Sequence, residues 1–192
     1  MPQEHNSKNH KLEINIENVV ASASLNQKIE LKDIIKVFKN AEYRPKKFPG
    51  LVFRLKRPKT ATLIFNSGKM ICTGAKSAKI ARSAIKKVVR ELKKKGMIIL
   101  HKPKIEIQNI VASANLQNMI DLETAADLFD NVMYEPEQFP GLIYRMRDPK
   151  TVLLLFASGR LVCTGAKHED MVNQSINNAY ETLDDYDLFF QR

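Results

Sequence analysis

A chain of 192 residues, 44% hydrophobic and 27% charged, can fill one sizeable core or two small ones. It shows no apolar run near the ~18 residues of a membrane span and no secretory signal core, so the expectation is a soluble intracellular protein. Its net charge of +10 is unevenly split: residues 1–101 carry 23 Lys and Arg against 7 Asp and Glu, while residues 102–192 carry 8 against 14. A basic half suits a polyanion and an acidic half suits a basic protein.

Residues 1–11 are polar and read as a disordered tail. Residues 12–22 alternate and are rich in β-branched side chains, which predicts a strand. Leu31, Ile34, Ile35 and Phe38 recur at i, i+3, i+4 and i+7, which predicts a helix over 31–40. Residues 42–45 read as a short extended piece, and Pro49-Gly50 as a turn. Strands follow at 51–57 and 60–65, and Asn66-Ser67-Gly68 turns into a strand over 69–74. A long helix over 77–95 ends at Gly96. After a junction at 101–103 the order β-α-β-β-β-β-α repeats, closing on a helix over 169–183.

The repetition is literal. Shifted by 91 residues, the chain matches itself without a gap at 33 of 90 positions. That period exceeds the ~20–50 residues of a solenoid unit and is the length of a small domain. Two copies, 12–101 and 102–192, are therefore expected about a pseudo-two-fold axis. The fold class is α+β: ten strands in a mostly antiparallel sheet, with four helices on one face. An object of this symmetry suits a ligand that is itself nearly two-fold symmetric, of which duplex DNA is the commonest.

Both sheet faces read as apolar. Residues two apart share a face, which groups Leu63 with Phe65, Ile71 with Thr73 and Asn18 with Val20. The second-copy equivalents are Leu154 and Phe156, Val162 and Thr164, Asn109 and Val111. Ile64 and Cys72 point the other way. Either protein covers both faces, or one is an apolar binding surface. Arg54, Lys69, Arg145 and Arg160 flank the second face in matched pairs and suit phosphates. One Asn per copy can address base-edge acceptors, which are all that A·T pairs show in the minor groove. Phe48 stands on a turn, either as a surface aromatic or folded under its own loop.

Catalytic chemistry finds little support. Cys72 and Cys163 lie in matched Cys-Thr-Gly segments with no His or acid in the motif to activate them, and they read as reduced core thiols. No metal-ligand spacing appears, and Gly68-Lys69 lacks the upstream Gly of a phosphate-binding loop. Neither metal nor cofactor is expected. An RNA- or single-strand-binding sheet and a purely protein-binding adaptor remain as rivals.

Three motifs occurring twice carry a resemblance: Asn-(Val/Ile)-Val-Ala-Ser, Tyr-x-Pro-x-x-Phe-Pro-Gly-Leu-(Val/Ile)-(Phe/Tyr)-Arg, and Ser-Gly-(Lys/Arg)-x-x-Cys-Thr-Gly-Ala-Lys. With them the chain resembles the TATA-box-binding protein family over nearly everything after residue 11. Phe-Pro-Gly in both copies is similar to the archaeal type, whereas eukaryotic members usually carry Phe-Ala-Ala in the first. The resemblance implies a saddle, a curved sheet with helices on its convex face, seated on the minor groove of promoter DNA. Phe48 and Phe65, and Phe139 and Phe156, would be the two intercalating pairs. Asn18, Asn109, Thr73 and Thr164 would reach base edges over an apolar floor of Val20, Val111, Leu63, Leu154, Ile71 and Val162. Arg54, Lys69, Arg145 and Arg160 would contact phosphates. Glu135 and Glu137, opposite Arg44 and Lys46 of the first copy, would meet transcription factor B, which brings RNA polymerase.

Divergence between the copies is selective. Residues 12–76 match their counterparts at 31 of 65 positions, but 77–95 at only 2 of 19. The basic first-copy helix, with Lys79, Arg82, Lys86, Lys87, Arg90 and Lys93 to Lys95, reads as a solvated face, or as a surface for nearby DNA or acidic regulators.

Overall fold

The computed structural model describes residues 12–190; the tail expected at 1–11 lies outside the described residues. The first copy comprises β1 (Glu13–Ser24), α1 (Leu31–Val37), β2 (Ala41–Tyr43), β3 (Leu51–Leu55), β4 (Thr60–Ile64), β5 (Lys69–Ala75) and α2 (Ala78–Lys94). The second comprises β6 (Lys104–Asn115), α3 (Leu122–Leu128), β7 (Val132–Met133), β8 (Leu142–Arg145), β9 (Val152–Leu155), β10 (Arg160–Ala166) and α4 (Glu169–Asp185). All ten strands join one curved antiparallel sheet in the order β2-β3-β4-β5-β1-β6-β10-β9-β8-β7. This is the α+β architecture expected from the repeat.

The two copies meet along β1 and β6. Asn18 pairs with Val111, Val19 with Ile110 and Val20 with Asn109. Ile110 is the residue 91 positions after Val19. At this point the chain therefore pairs with its own counterpart, and the pseudo-two-fold axis passes through the pair. The register slips once on either side, between Ile16 and Asn18 and between Val20 and Ala21. The extra residue is Glu17 on one strand and Gln108 on the other.

Alternation in the strands assigns the two faces. Leu51, Phe53 and Leu55 of β3, Thr60, Thr62 and Ile64 of β4, and Met70, Cys72 and Ala75 of β5 are buried on the helical side. Helix α2 brings Ala81, Ala84, Ile85, Val88, Val89 and Leu92 against them, and α4 brings Val172, Ser175, Ile176, Ala179 and Leu183 against the second copy. The Ser77 hydroxyl caps α2 by accepting from the Ile80 amide at 3.1 Å, satisfying one of the otherwise orphaned N–H groups.

Helix α1 ends at Val37, three residues short of the end that the apolar periodicity predicts. Phe38 leaves the helix in extended geometry, φ −119° and ψ 111°, yet its ring is still buried, edge-on to Phe53 at 5.0 Å. Periodicity registers burial and not backbone conformation. The chain turns here because Asn40 must reach β3: its carbonyl accepts from the Arg54 amide at 3.1 Å and its carboxamide donates to the Arg54 carbonyl at 2.7 Å.

The β4–β5 turn requires glycine. Gly68 has φ +80°, and a Cβ there would lie 2.1 Å from the Gln27 carbonyl oxygen; Gly159 repeats this against Asn118 at 2.0 Å. Gly96 has a similar φ of +86° but open space around it. Gly96→Ala should therefore cost about 1 kcal/mol, the left-handed conformation alone. Gly68→Ala should cost more, since rigid backbone must also move. Urea denaturation of both variants checks this; equal losses would show that the contact with Gln27 is immaterial.

Candidate nucleic-acid interface

The face turned away from the helices is built of cross-strand rows. Val52, Leu63, Ile71 and Ser22 are successive partners across β3, β4, β5 and β1. Ile143, Leu154, Val162 and Ser113 repeat the row in the second copy. A second row runs Arg54, Ala61, Thr73, mirrored by Arg145, Val152, Thr164. Ile71 is 37% exposed, and Val20, Leu63, Val111, Leu154 and Val162 are half-buried although no helix covers them. Of the two readings that alternation left open, the structure shows one face covered and one bare. The bare face joins all six floor positions expected from the sequence; Val52 and Ile143 extend it and were missed because single apolar residues beside buried Leu51 and Phe53 carry no distinct signal.

The two asparagines are fixed by the backbone. Asn18 Oδ1 accepts from the Gly74 amide at 2.7 Å, and Asn109 Oδ1 accepts from the Gly165 amide at 2.7 Å. Only the carboxamide oxygen can accept from an N–H, so the orientation of each group is determined. Nδ2 then donates to the Thr73 hydroxyl at 2.9 Å, or to that of Thr164 at 3.1 Å. One N–H of each Nδ2 is left over. The sequence placed these Asn and Thr residues on the same face, and the structure brings each pair into contact.

At either end stands an aromatic pair. Phe48 and Phe65 have ring centroids 5.9 Å apart at 66°, and Phe139 and Phe156 have 5.9 Å and 67°. Phe48 is 38% exposed, so it is a surface aromatic and not a plug beneath its loop. The following Phe-Pro-Gly glycines lie under these rings: a Cβ on Gly50 would sit 2.6 Å from Phe48, and one on Gly141 2.7 Å from Phe139.

Cations line the rim. Arg54, Lys69, Arg145 and Arg160 are exposed. An open groove of about 820 Å³ beside Asn18 and Thr73 adds Lys56, Lys59 and Lys76 to Arg54. Lys59 and Lys76 have identical counterparts in Lys150 and Lys167, and that identity was the available signal for them. Glu135 and Glu137 are exposed on the turn leading to Phe139. Across the repeat, Arg44 is paired with Glu42 at 2.7 Å, while Lys46 is exposed. On α2, Arg82 donates to the Ile105 carbonyl and Lys87 to that of Arg57.

Among the described residues no cluster of His, Cys, Asp and Glu suits a metal, and no helix is long and apolar enough to cross a membrane. Both cysteines are buried. Burial pushes the Cys72 thiol up and the Cys163 thiol up to about 11. Neither is a thiolate at neutral pH, which is the form a nucleophile needs.

Known proteins resemble the whole arrangement. The family model described as "Transcription factor TFIID (or TATA-binding protein, TBP)" matches twice, over residues 13–95 and 104–186. A TATA-box-binding protein of Pyrodictium occultum is 56% identical over 169 residues, 88% of this chain and 85% of the relative. One from Sulfolobus acidocaldarius is 52% identical over 178 residues, 93% and 90% of the two chains. The solved structure of Methanococcus jannaschii TBP superposes with a TM-score of 0.83 at 47% identity, covering 90% of this chain and 99% of that one.

The buried thiols give a direct check on the core. Native protein at pH 8 should leave both Cys72 and Cys163 unmodified by iodoacetamide over hours, and urea-unfolded protein should alkylate at both. Mass spectrometry reads the outcome, and rapid labelling of either thiol in the native state would contradict its burial.

Proposed function

This chain belongs to the TATA-binding protein family of DNA-binding transcription factors, which are not enzymes, and we propose that it seats its helix-free face in the minor groove of a TATA element. There it bends the duplex by phenylalanine intercalation and recruits transcription factor B and, through it, RNA polymerase. Its place in the cell is on the DNA. Residues 12–101 and 102–192 each take one half of the element.

The observation that carries this reading is the orientation of Asn18 and Asn109 on either side of the axis. Each presents a spare N–H donor on an apolar floor, and its oxygen is already occupied by Gly74 or Gly165. A·T pairs offer only acceptors in the minor groove, whereas a G·C pair adds the guanine amino donor. A spare donor held on either side of the axis therefore favours A·T. Thr73 and Thr164 complete the polar set, with Val20, Val111, Leu63, Leu154, Ile71 and Val162 as the floor.

Phe48 with Phe65 and Phe139 with Phe156 act as wedges at the two ends. TATA-binding proteins are themselves the type case of such wedging, so the kink comes with the family and not from these distances. Bending a short site costs about 1–10 kcal/mol. Burying roughly 1,000–2,500 Å² of protein, about half of it apolar, returns on the order of 12–30 kcal/mol before association entropy and desolvation are subtracted. Net binding survives where DNA deforms cheaply, so flexible TA steps are preferred. Arg54, Lys69, Arg145 and Arg160 hold the phosphates.

Glu135 and Glu137 offer a basic partner one acidic end, and the equivalent Arg44 and Lys46 repel it from the other. That fits transcription factor B docking on the second copy alone.

Phe65→Ala and Phe156→Ala should each weaken binding to an A·T-rich duplex by tenfold or more and reduce the bend seen by energy transfer. An unchanged bend in both removes the wedges. Netropsin, which fills the minor groove, should displace the protein; failure to compete would favour a single-strand or RNA ligand. Glu135→Arg combined with Glu137→Arg should leave the DNA shift intact and abolish the supershift by transcription factor B. A normal supershift would move that contact elsewhere.

A further inference from the structure

The bare face is two-fold symmetric across its apolar floor and breaks in charge along β1 and β6: at the two bulges, and at the exposed flanking pairs Glu13 with Lys104 and Asn15 with Glu106. A bulge turns an extra side chain onto a face that alternation would deny it. Here it brings Glu17 beside Asn18, and Gln108 beside Asn109. Both residues reach across the axis to the other copy's serine. Glu17 Oε1 accepts from the Ser113 hydroxyl at 2.7 Å, and Gln108 Nε2 donates to the Ser22 hydroxyl at 2.7 Å.

The difference between a carboxylate and a carboxamide then passes to the lysines. Lys76 Nζ lies 3.2 Å from Glu17 Oε2 and donates to the Glu17 carbonyl at 2.9 Å. Its counterpart Lys167 is exposed and has no carboxylate partner among the described residues, since Gln108 carries no charge. The Ser113 hydrogen bond and the Lys76 ammonium hold the Glu17 carboxyl below its ordinary range, so the pair is charged throughout the neutral range. Lys76 lines the same open groove as Arg54, Lys56 and Lys59.

We propose that Glu17 gives this face its direction: by pairing with Lys76 it withdraws one phosphate-seeking cation from the first half, while Lys167 stays available in the second. The proposal rests on the minor-groove reading above. Two orientations of a protein on an asymmetric duplex differ in free energy only through groups that differ between the halves. The four wedges, both Asn, both Thr, and Val20 with Val111 and Leu63 with Leu154 are identical between copies, and Ile71 with Val162 and Lys69 with Arg160 differ only conservatively. Charge changes at Glu17 with Gln108 beside the asparagines, and farther out at Glu13 with Lys104 and Asn15 with Glu106, where Lys104 and Glu106 pair with each other at 3.1 Å. An exposed ion pair supports a preference of up to about fivefold.

The test uses the full chain without transcription factor B, labelled through Asp184→Cys on the far side of α4. Energy transfer to dyes at either end of an asymmetric TATA duplex reports the two orientations. The original sequence should show unequal populations, Glu17→Gln should bring them toward equality, and Glu17→Gln with Gln108→Glu should reverse them. In parallel, Glu17→Gln should steepen the slope of log affinity against log salt by about 0.9, the contribution of one freed phosphate contact, and Gln108→Glu should make it shallower by a similar amount. Equal populations at the outset, an unreversed preference in the double variant or an unchanged salt slope would each overturn the proposal. Absence of any duplex binding by the original sequence would instead remove the minor-groove reading on which it stands.

Discussion

Everything in this molecule hangs on one antiparallel pairing, β1 against β6 with Val19 opposite Ile110. An antiparallel ladder between equivalent strands has a two-fold axis wherever a residue faces its own counterpart, and that one register generates the rest. It joins two five-stranded halves into one sheet, sets α2 and α4 on the same side, and puts Asn18 and Asn109 at the centre of the other. A shift by one residue would turn the side chains of one half to the wrong face. Val19 and Ile110 are both fully buried, so packing against the helices defends the register.

A sheet needs only one buried face, and here the second is also apolar. Leaving Val20, Leu63, Ile71 and their counterparts uncovered by protein carries a standing cost in hydration, which ligand burial relieves. The polar groups on this face show how such a surface avoids being merely sticky. The Asn carboxamides are held by backbone amides and not by solvent, so they are positioned before any ligand arrives, and ordering them adds little to the cost of binding.

The sequence carried the architecture well, because a 91-residue repeat states each element twice. What it carried poorly was local. The apolar periodicity of Leu31, Ile34, Ile35 and Phe38 ran past the true end of α1, since Phe38 is buried from an extended backbone. Alternation left both sheet faces open as candidates, because apolar side chains look alike whether helix or ligand covers them. The contact between Asn18 and Thr73 spans 55 residues and depends on strand register, which composition does not report. The bulges at Glu17 and Gln108 were equally hidden: nothing in Ile-Glu-Asn or Ile-Gln-Asn marks the middle residue as the one that slips. The role of each site residue toward DNA came from family resemblance and not from pattern alone.

A two-fold protein on a nearly two-fold ligand can have direction only where its copies differ, and the structure limits where they can differ. The core positions are closed to charge, because an unpaired buried charge is costly. On the minor-groove reading proposed above, the four phenylalanines and the Asn–Thr pairs are closed for another reason: altering one would weaken the grip of that half in either orientation. Three kinds of place remain. The helical backs diverge freely, and the loops before Phe48 and Phe139 differ in charge, but both lie away from the floor of the face. The third kind is the exposed positions of β1 and β6, where Glu13 with Lys104 and Asn15 with Glu106 also differ in charge, and among these Glu17 and Gln108 are the ones adjacent to the central asparagines. A difference between Glu17 and Gln108 therefore breaks the symmetry of the face without disturbing the register that creates it.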